Sequence, residues 1–128
     1  MKKARNYPSC FYDDQSNSVF VTGGRGSRGQ GLATSEKLNL DTYQWESIPS
    51  LPQPLYLSDG VASKSIEYIG FVAGGYTDTT TNKVLGLRRR DLMWEVMPKQ
   101  LQKARRSYSM VNVASDEVPG CQSNLNIK

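Results

Sequence analysis

Apolar and polar positions alternate along this chain in short runs, a pattern typical of β-strands half buried in a sheet. Polar turn residues separate the runs, for example between residues 13 and 17 and at Asp41-Thr42. No run has the period of a helix. The pattern predicts eight strands, near residues 8–12, 18–23, 35–40, 44–48, 58–63, 67–73, 83–88 and 93–97.

The runs belong to an internal repeat. Phe-Val-Thr-Gly-Gly at 20–24 returns as Phe-Val-Ala-Gly-Gly at 71–75, and Trp-Glu-Ser-Ile-Pro at 45–49 returns as Trp-Glu-Val-Met-Pro at 94–98, so the offsets are 51 and 49 residues by subtraction. Ala4-Arg5 returns two periods later as Ala104-Arg105. A repeat of about 50 residues built from strands predicts a β-propeller in which each repeat forms one four-stranded blade.

These markers, a strand ending in two glycines and a tryptophan near the start of the fourth strand, resemble the kelch repeat over residues 4–113. The resemblance implies an all-β fold of kelch-type blades, each a four-stranded antiparallel sheet. Kelch propellers usually close with about six blades, so two blades make an incomplete propeller. We therefore expect a fragment of a longer kelch protein, whose open edges need the remaining blades or self-association to cover them.

The repeat also sets the expected organisation of the chain. We expect a kelch-repeat region at 1–113, with blade one at about 4–49, blade two at about 50–98 and the start of a third blade at 99–113. Residues 114–128 are polar and interrupted by Pro119, which predicts a disordered tail.

Six residues are predicted to be structural markers of the repeat. The double glycines let the chain turn with φ values that other residues resist. The tryptophans should fill the space between successive blades, and truncating either buried ring would cost about 3–5 kcal/mol. The six are Gly23, Gly24, Trp45, Gly74, Gly75 and Trp94.

The net charge of +4 comes from basic clusters in the predicted loops and at the N-terminus. Such clusters are most often solvated surface charges. The functional alternative is a surface that receives an anion, either an acidic peptide or, less favoured, a nucleic acid. The cluster at residues 88–90 is expected to lie on the outer edge of a blade, away from the loops predicted to bind partners.

The kelch resemblance implies a protein partner bound by the loops between second and third strands and between successive blades. In this chain those loops are residues 25–34, 50–56, 76–82 and 99–106. Arginine and tyrosine dominate interaction hot spots. The predicted partner-binding residues are therefore Arg25, Arg28, Tyr56, Tyr76, Arg105 and Arg106, with Arg5 a weaker candidate by its repeat position.

Catalytic and cofactor chemistry finds little support in the residue types. The chain has no histidine and no cysteine pair at ligand spacing, so the commonest transition-metal sites cannot be built. Asp13-Asp14 lies in a predicted turn, where aspartate is favoured for backbone reasons. Residues 24–29 match the glycine pattern of a dinucleotide-binding turn, but the segment after them is a poor helix start. We expect no metal, no cofactor and no enzymatic activity.

The kelch resemblance thus implies a protein-interaction module, either a substrate-recognition adaptor of the ubiquitin-ligase type or an actin-associated scaffold. The alternative is part of a kelch-like propeller enzyme acting on a sugar, whose site would be shared among blades.

The sequence shows neither a signal peptide nor an apolar run long enough to span a membrane. Cys10 and Cys121 are expected to be free thiols, and the expected location is the cytoplasm.

Overall fold

Eight strands form two antiparallel sheets in the computed structural model, which describes residues 1–112. The first sheet has the order β1-β2-β3-β4 and the second the order β5-β6-β7-β8. The part of the chain described contains no helix, so the predicted all-β fold of four-stranded antiparallel blades is confirmed. The two sheets do not close into a barrel. The strands are β1 Ser9–Asp13, β2 Ser18–Thr22, β3 Ser35–Asn39, β4 Gln44–Ile48, β5 Asp59–Ala62, β6 Tyr68–Ala73, β7 Val84–Arg88 and β8 Trp94–Val96.

Each predicted strand overlaps an observed one, because strand formation follows the alternation of buried and exposed positions. β1 shows this most simply: Ser9, Phe11 and Asp13 are buried, and the two residues between them are exposed. β2 is buried almost throughout, as expected of a strand with sheet neighbours on both sides and packing on both faces.

The two blades pack through their inner strands, with the Phe11 ring at the boundary. This ring stacks on Phe20 with centroids 5.6 Å apart and meets Trp94 edge-on at 6.4 Å. Gly70 of β6 makes room for it, since a Cβ there would lie 2.6 Å from a Phe11 ring atom. The buried core therefore lies between the blades and is formed by Phe11, Phe20, Ile48, Leu51, Leu55, Ile69, Val72, Leu85, Leu87 and Trp94.

The two repeat tryptophans do not share the burial that the sequence predicts. Trp94 is 8% exposed, and its Nε1 donates to Ser35 Oγ of blade one at 3.2 Å. Trp45 is only partly buried. It pairs with Leu38 as Trp94 pairs with Leu87, so both tryptophans lie on the same side of their own blades. That side faces blade one for Trp94 and points away from blade two for Trp45, so Trp45 does not fill the space between these two blades.

The double glycines adopt the backbone that the sequence predicts. Their φ values are 67° and 97° at Gly23 and Gly24, and 59° and 96° at Gly74 and Gly75. The structure adds a second reason for glycine. A Cβ on Gly23 would lie 2.2 Å from the Leu55 carbonyl oxygen, and one on Gly74 would lie 2.5 Å from that of Arg105. Each pair is therefore pressed against the segment that follows its own blade.

The segment after blade two continues the repeat without forming a strand within the described residues. Leu57 donates its N–H to the Tyr7 carbonyl, and Ser107 donates to the Leu57 carbonyl in the same way. All three residues have φ between 53° and 57°. Leu101 and Met110 pack on the outer side of blade two. The predicted limits of a third blade stay predictions, and residue 113 and the predicted tail at 114–128 lie outside the described residues.

Of the residues described, none lies in a helix long and apolar enough to cross a membrane.

Candidate partner-binding face

The loops predicted to bind a partner meet at one end of the two blades. Gly24 N–H donates to the Leu55 carbonyl at 2.8 Å, and Gly75 N–H donates to the Arg105 carbonyl at 2.8 Å. Each β2–β3 or β6–β7 loop is thus joined to the linker that follows its blade. We call this end the loop face; it consists of residues 1–8, 23–34, 49–58, 74–83 and 98–107.

Four of the six predicted partner-binding residues form one continuous stack on the loop face. The Arg25 guanidinium carbon lies 5.2 Å from the centroid of the Tyr56 ring, and the Tyr56 and Tyr76 centroids are 5.4 Å apart with the rings tilted by 56°. The Arg106 guanidinium carbon lies 5.1 Å from the Tyr76 ring. Both arginines are exposed and both tyrosines are partly exposed. We call these four residues the tyrosine–arginine row.

Backbone pairing fixes the order of the row. Tyr56 and Tyr76 exchange both of their N–H to carbonyl hydrogen bonds, at 3.1 and 2.8 Å, and Asn6 and Arg25 do the same at 2.8 and 2.7 Å. Asn6, Tyr56 and Arg106 hold equivalent positions in the repeat, 50 residues apart by subtraction. The row therefore follows the order of the repeat, alternating between a residue that follows a double glycine and a residue of the linker after a blade.

The other two predicted residues lie outside the row. Arg28 is exposed in the β2–β3 loop, where its N–H donates to Gln30 Oε1 at 3.1 Å. The Arg105 guanidinium carbon lies 5.9 Å from the Tyr108 ring. Burial, together with the nearby charge of Asp59, raises the pKa of the Tyr108 hydroxyl to about 12. The sequence did not predict a role for Tyr108. This residue follows Arg105 as Pro8 follows Arg5, so the repeat offers no second tyrosine at this position that could have marked it.

Arg5, the weaker candidate, is a structural residue and not a binding residue. Its side chain is fully buried, with Nη2 2.6 Å from Glu36 Oε2 and Nη1 donating to the carbonyls of Gly23 and Thr34. Burial tends to raise the pKa of Glu36, but hydrogen bonds from the Lys2 N–H and from Arg5, with the Arg5 charge, hold it below its usual value. Repeat position misled the prediction, because Arg105 at the same position is exposed.

The cluster at residues 88–90 does not consist of equivalent surface charges. Arg89 is bound to the buried carboxylate of Asp13 in the other blade, while the Arg90 side chain is 77% exposed. Asp13 also accepts hydrogen bonds from the N–H and hydroxyl of Ser16, so its expected role in a turn is confirmed. The predicted position on the outer edge of the blade is wrong for Arg89, because its long side chain lies at the blade boundary and reaches the neighbouring sheet.

The glycine-rich loop at residues 24–29 folds back on itself. Gly26 N–H donates to the Gln30 carbonyl at 2.9 Å, and Leu32 N–H donates to the Gly24 carbonyl at 2.8 Å. Arg25 bridges to Gly31 as in a short antiparallel pair. A dinucleotide-binding turn needs a helix to begin among the glycines, and this loop instead leads into strand β3.

Charge is strongly separated between the two ends of the blades. The loop-face segments carry one acidic residue, Asp78, against ten basic residues, although Arg5 is neutralised by Glu36. The turns at the opposite end, residues 14–17, 40–43, 63–67 and 89–93, carry three basic and four acidic residues. A surface of one sign attracts partners of the other sign and speeds their association. The ten are Lys2, Lys3, Arg5, Arg25, Arg28, Lys83, Lys99, Lys103, Arg105 and Arg106.

Comparison with known proteins supports the kelch-like character of the chain. Over 83 residues, 65% of its length, it is 40% identical to alpha-scruin of Limulus polyphemus. The matched stretch spans 8% of alpha-scruin, so the chain corresponds to a small part of that protein. No protein-family model matches the chain. The likeness to alpha-scruin and the two four-stranded sheets agree in pointing to kelch-like repeats.

Proposed function

We propose that this chain is a kelch-type protein-binding module whose loop face receives an acidic partner. The separation of charge carries the proposal: basic side chains are concentrated where the loops meet, and the opposite end is mixed. Arginine and tyrosine together provide charge, hydrogen bonds and aromatic area, the combination that is enriched in interaction hot spots. The loop face presents both types side by side.

Two cellular roles follow from the kelch resemblance, an actin-associated scaffold and a substrate-recognition adaptor of a ubiquitin ligase. The likeness to alpha-scruin favours the scaffold. Co-sedimentation of the chain with purified actin filaments tests this choice. Pelleting with filaments supports the scaffold, and failure to pellet under low-salt conditions favours the adaptor.

Charge reversal tests the binding surface for either role. Reversing Arg105 and Arg106 together to Glu should weaken capture by about 2 kcal/mol or more, the loss typical of a hot spot. The matched control is Lys64→Glu with Arg90→Glu, which makes the same change of charge at the opposite end of the blades. Binding should also weaken as salt is raised, because exposed charges are screened. Equal losses for both double variants would overturn the proposal.

A further inference from the structure

The tyrosine–arginine row has a charge at each end and a length whose upper limit follows from its contacts. Its two guanidinium carbons are joined by three contacts of 5.2, 5.4 and 5.1 Å, so they lie no more than about 16 Å apart. Among residues 1–112, neither Arg25 nor Arg106 forms an ion pair with a carboxylate. A hydrogen bond from Arg25 Nε to the Gly29 carbonyl at 2.9 Å holds that guanidinium in place. The row therefore offers two separated cations with an aromatic centre between them.

The stacking within the row disfavours a nucleic acid as the occupant. Single strands bind to aromatic residues by laying a base on an open ring face. The ring of Tyr56 lies between Arg25 and Tyr76, and the ring of Tyr76 lies between Tyr56 and Arg106. Both rings thus have neighbours on two sides. What remains for a ligand is the partly exposed remainder of each tyrosine and the outer side of each guanidinium.

From this geometry we infer that the row binds an extended peptide with acidic side chains at positions i and i+4 and an uncharged residue at i+2. In an extended chain these three side chains lie on the same side, and i and i+4 are ~13 Å apart at ~3.3 Å per residue. That spacing fits within the limit set by the two guanidinium groups. The carboxylates would reach Arg25 and Arg106, and residue i+2 would lie over the two tyrosines. This inference rests on the proposed function and specifies how far apart the two acidic side chains of the partner lie.

The test uses synthetic peptides labelled with a fluorophore and the chain of residues 1–128. One peptide contains Glu-Ser-Leu-Ser-Glu within a neutral flank, and the others have the same composition with the two Glu adjacent or placed eight residues apart. We expect the first peptide to bind at least about tenfold tighter in fluorescence polarisation, the ratio that follows from one additional charge-assisted contact. Arg25→Gln and Arg106→Gln should each abolish the preference among the peptides, and Tyr56→Leu should weaken it.

The controls separate this inference from the proposed function. Arg90→Gln and Tyr43→Leu, both at the opposite end of the blades, should leave the preference unchanged. Equal affinity for all three acidic peptides would overturn the spacing and leave an acidic partner for the loop face intact. No binding of any acidic peptide in low salt would count against both. Tighter binding of a single-stranded oligonucleotide than of any peptide would overturn the inference in favour of nucleic acid.

Discussion

Asp13 and Arg89 are 76 residues apart in sequence and form a two-fold hydrogen-bonded ion pair across the boundary between the blades. Arg89 Nη1 donates to Asp13 Oδ2 at 2.9 Å, and Nη2 donates to Oδ1 at 3.1 Å. The Asp13 side chain is 1% exposed and the Arg89 side chain 20%. By repeat position their counterparts are Ser63 and Leu40, neither of which carries a charge. Within residues 1–112 this ion pair joins the first sheet directly to the turn between the last two strands of the second.

Removing one partner of this pair should destabilise the chain. Arg89→Ala leaves the Asp13 carboxylate buried without its cation, and we expect a loss of about 2–4 kcal/mol in the free energy of unfolding, slightly below the range for fully buried pairs. Urea denaturation measures the loss. The matched control is Arg90→Ala, next in sequence and exposed, which should stay within about 0.5 kcal/mol of the parent. Equal losses at both positions would show that the pair does not hold the blades together.

Acid should weaken the fold through the same pair and through Glu36. Burial tends to raise the pKa of Asp13, but hydrogen bonds from Arg89 and Ser16 and the Arg89 charge outweigh it, so this pKa lies below its usual value. The pKa of Glu36 is lowered likewise. Lowered pKa values give stability that is complete above the unfolded values of about 3.9 and 4.3 and is lost as pH falls through the folded values.

Denaturation curves collected between about pH 6 and pH 2.5 should therefore show a steep loss of stability below about pH 4. Asp13→Asn should be less stable than the parent at pH 6 and should lose less stability on acidification, because the titrating group is gone. Asp14→Asn, which changes the exposed neighbouring carboxylate, is the matched control. If Asp13→Asn and the parent respond to acid identically, Asp13 does not contribute to the pH dependence.

The strands could be predicted from sequence because local properties decide them. The alternation in β1, the double glycines after β2 and β6 and the turn chemistry of Asp13 all act within a few residues. The partners of Arg5 and Arg89 could not be predicted, since each depends on which sheet lies beside a long side chain. Sequence repetition also does not show that two copies of a position differ in burial: Arg5 is buried, and Arg105 is exposed at the same repeat position.

The same distinction applies to the candidate site. Residue types and the kelch resemblance predict which loops form the site, and in the structure Arg25, Tyr56, Tyr76 and Arg106 are in contact. Their order in the row could not be derived from sequence. It depends on backbone hydrogen bonds between a loop and the linker after it, such as that between Gly24 and Leu55, which no local pattern encodes.

Trp45 and Trp94 provide a test of packing with the same residue type at the same repeat position. Trp94→Ala removes a ring that is 8% exposed and contacts Phe11 of the other blade, so we expect a loss of about 3–5 kcal/mol. Trp45→Ala removes a partly exposed ring and should cost about 1–2 kcal/mol. Chemical denaturation of both variants measures the difference. Similar losses would mean that a surface covers Trp45 in solution.

Such a cover is expected, because blade one has an apolar side with no sheet against it among the described residues. Tyr12, Val19, Leu38 and Trp45 are direct partners across four strands and so share this side, which we call the open face. The equivalent row of blade two includes Leu87 and Trp94, which are buried against blade one. Apolar area of this kind marks an interaction surface or promotes association.

We therefore predict that the isolated chain self-associates through the open face or is only marginally stable. Size-exclusion chromatography with light scattering should show dimers or larger species whose fraction rises with concentration. Leu38→Lys should shift the chain toward monomer by placing a charge in the open face, whereas Tyr43→Lys, at an exposed turn outside it, should not. Circular dichroism of each variant checks that the strands persist. A monodisperse monomer with a sharp cooperative melt, unchanged by Leu38→Lys, would contradict the prediction. Two blades would then bury enough apolar surface for a stable fold.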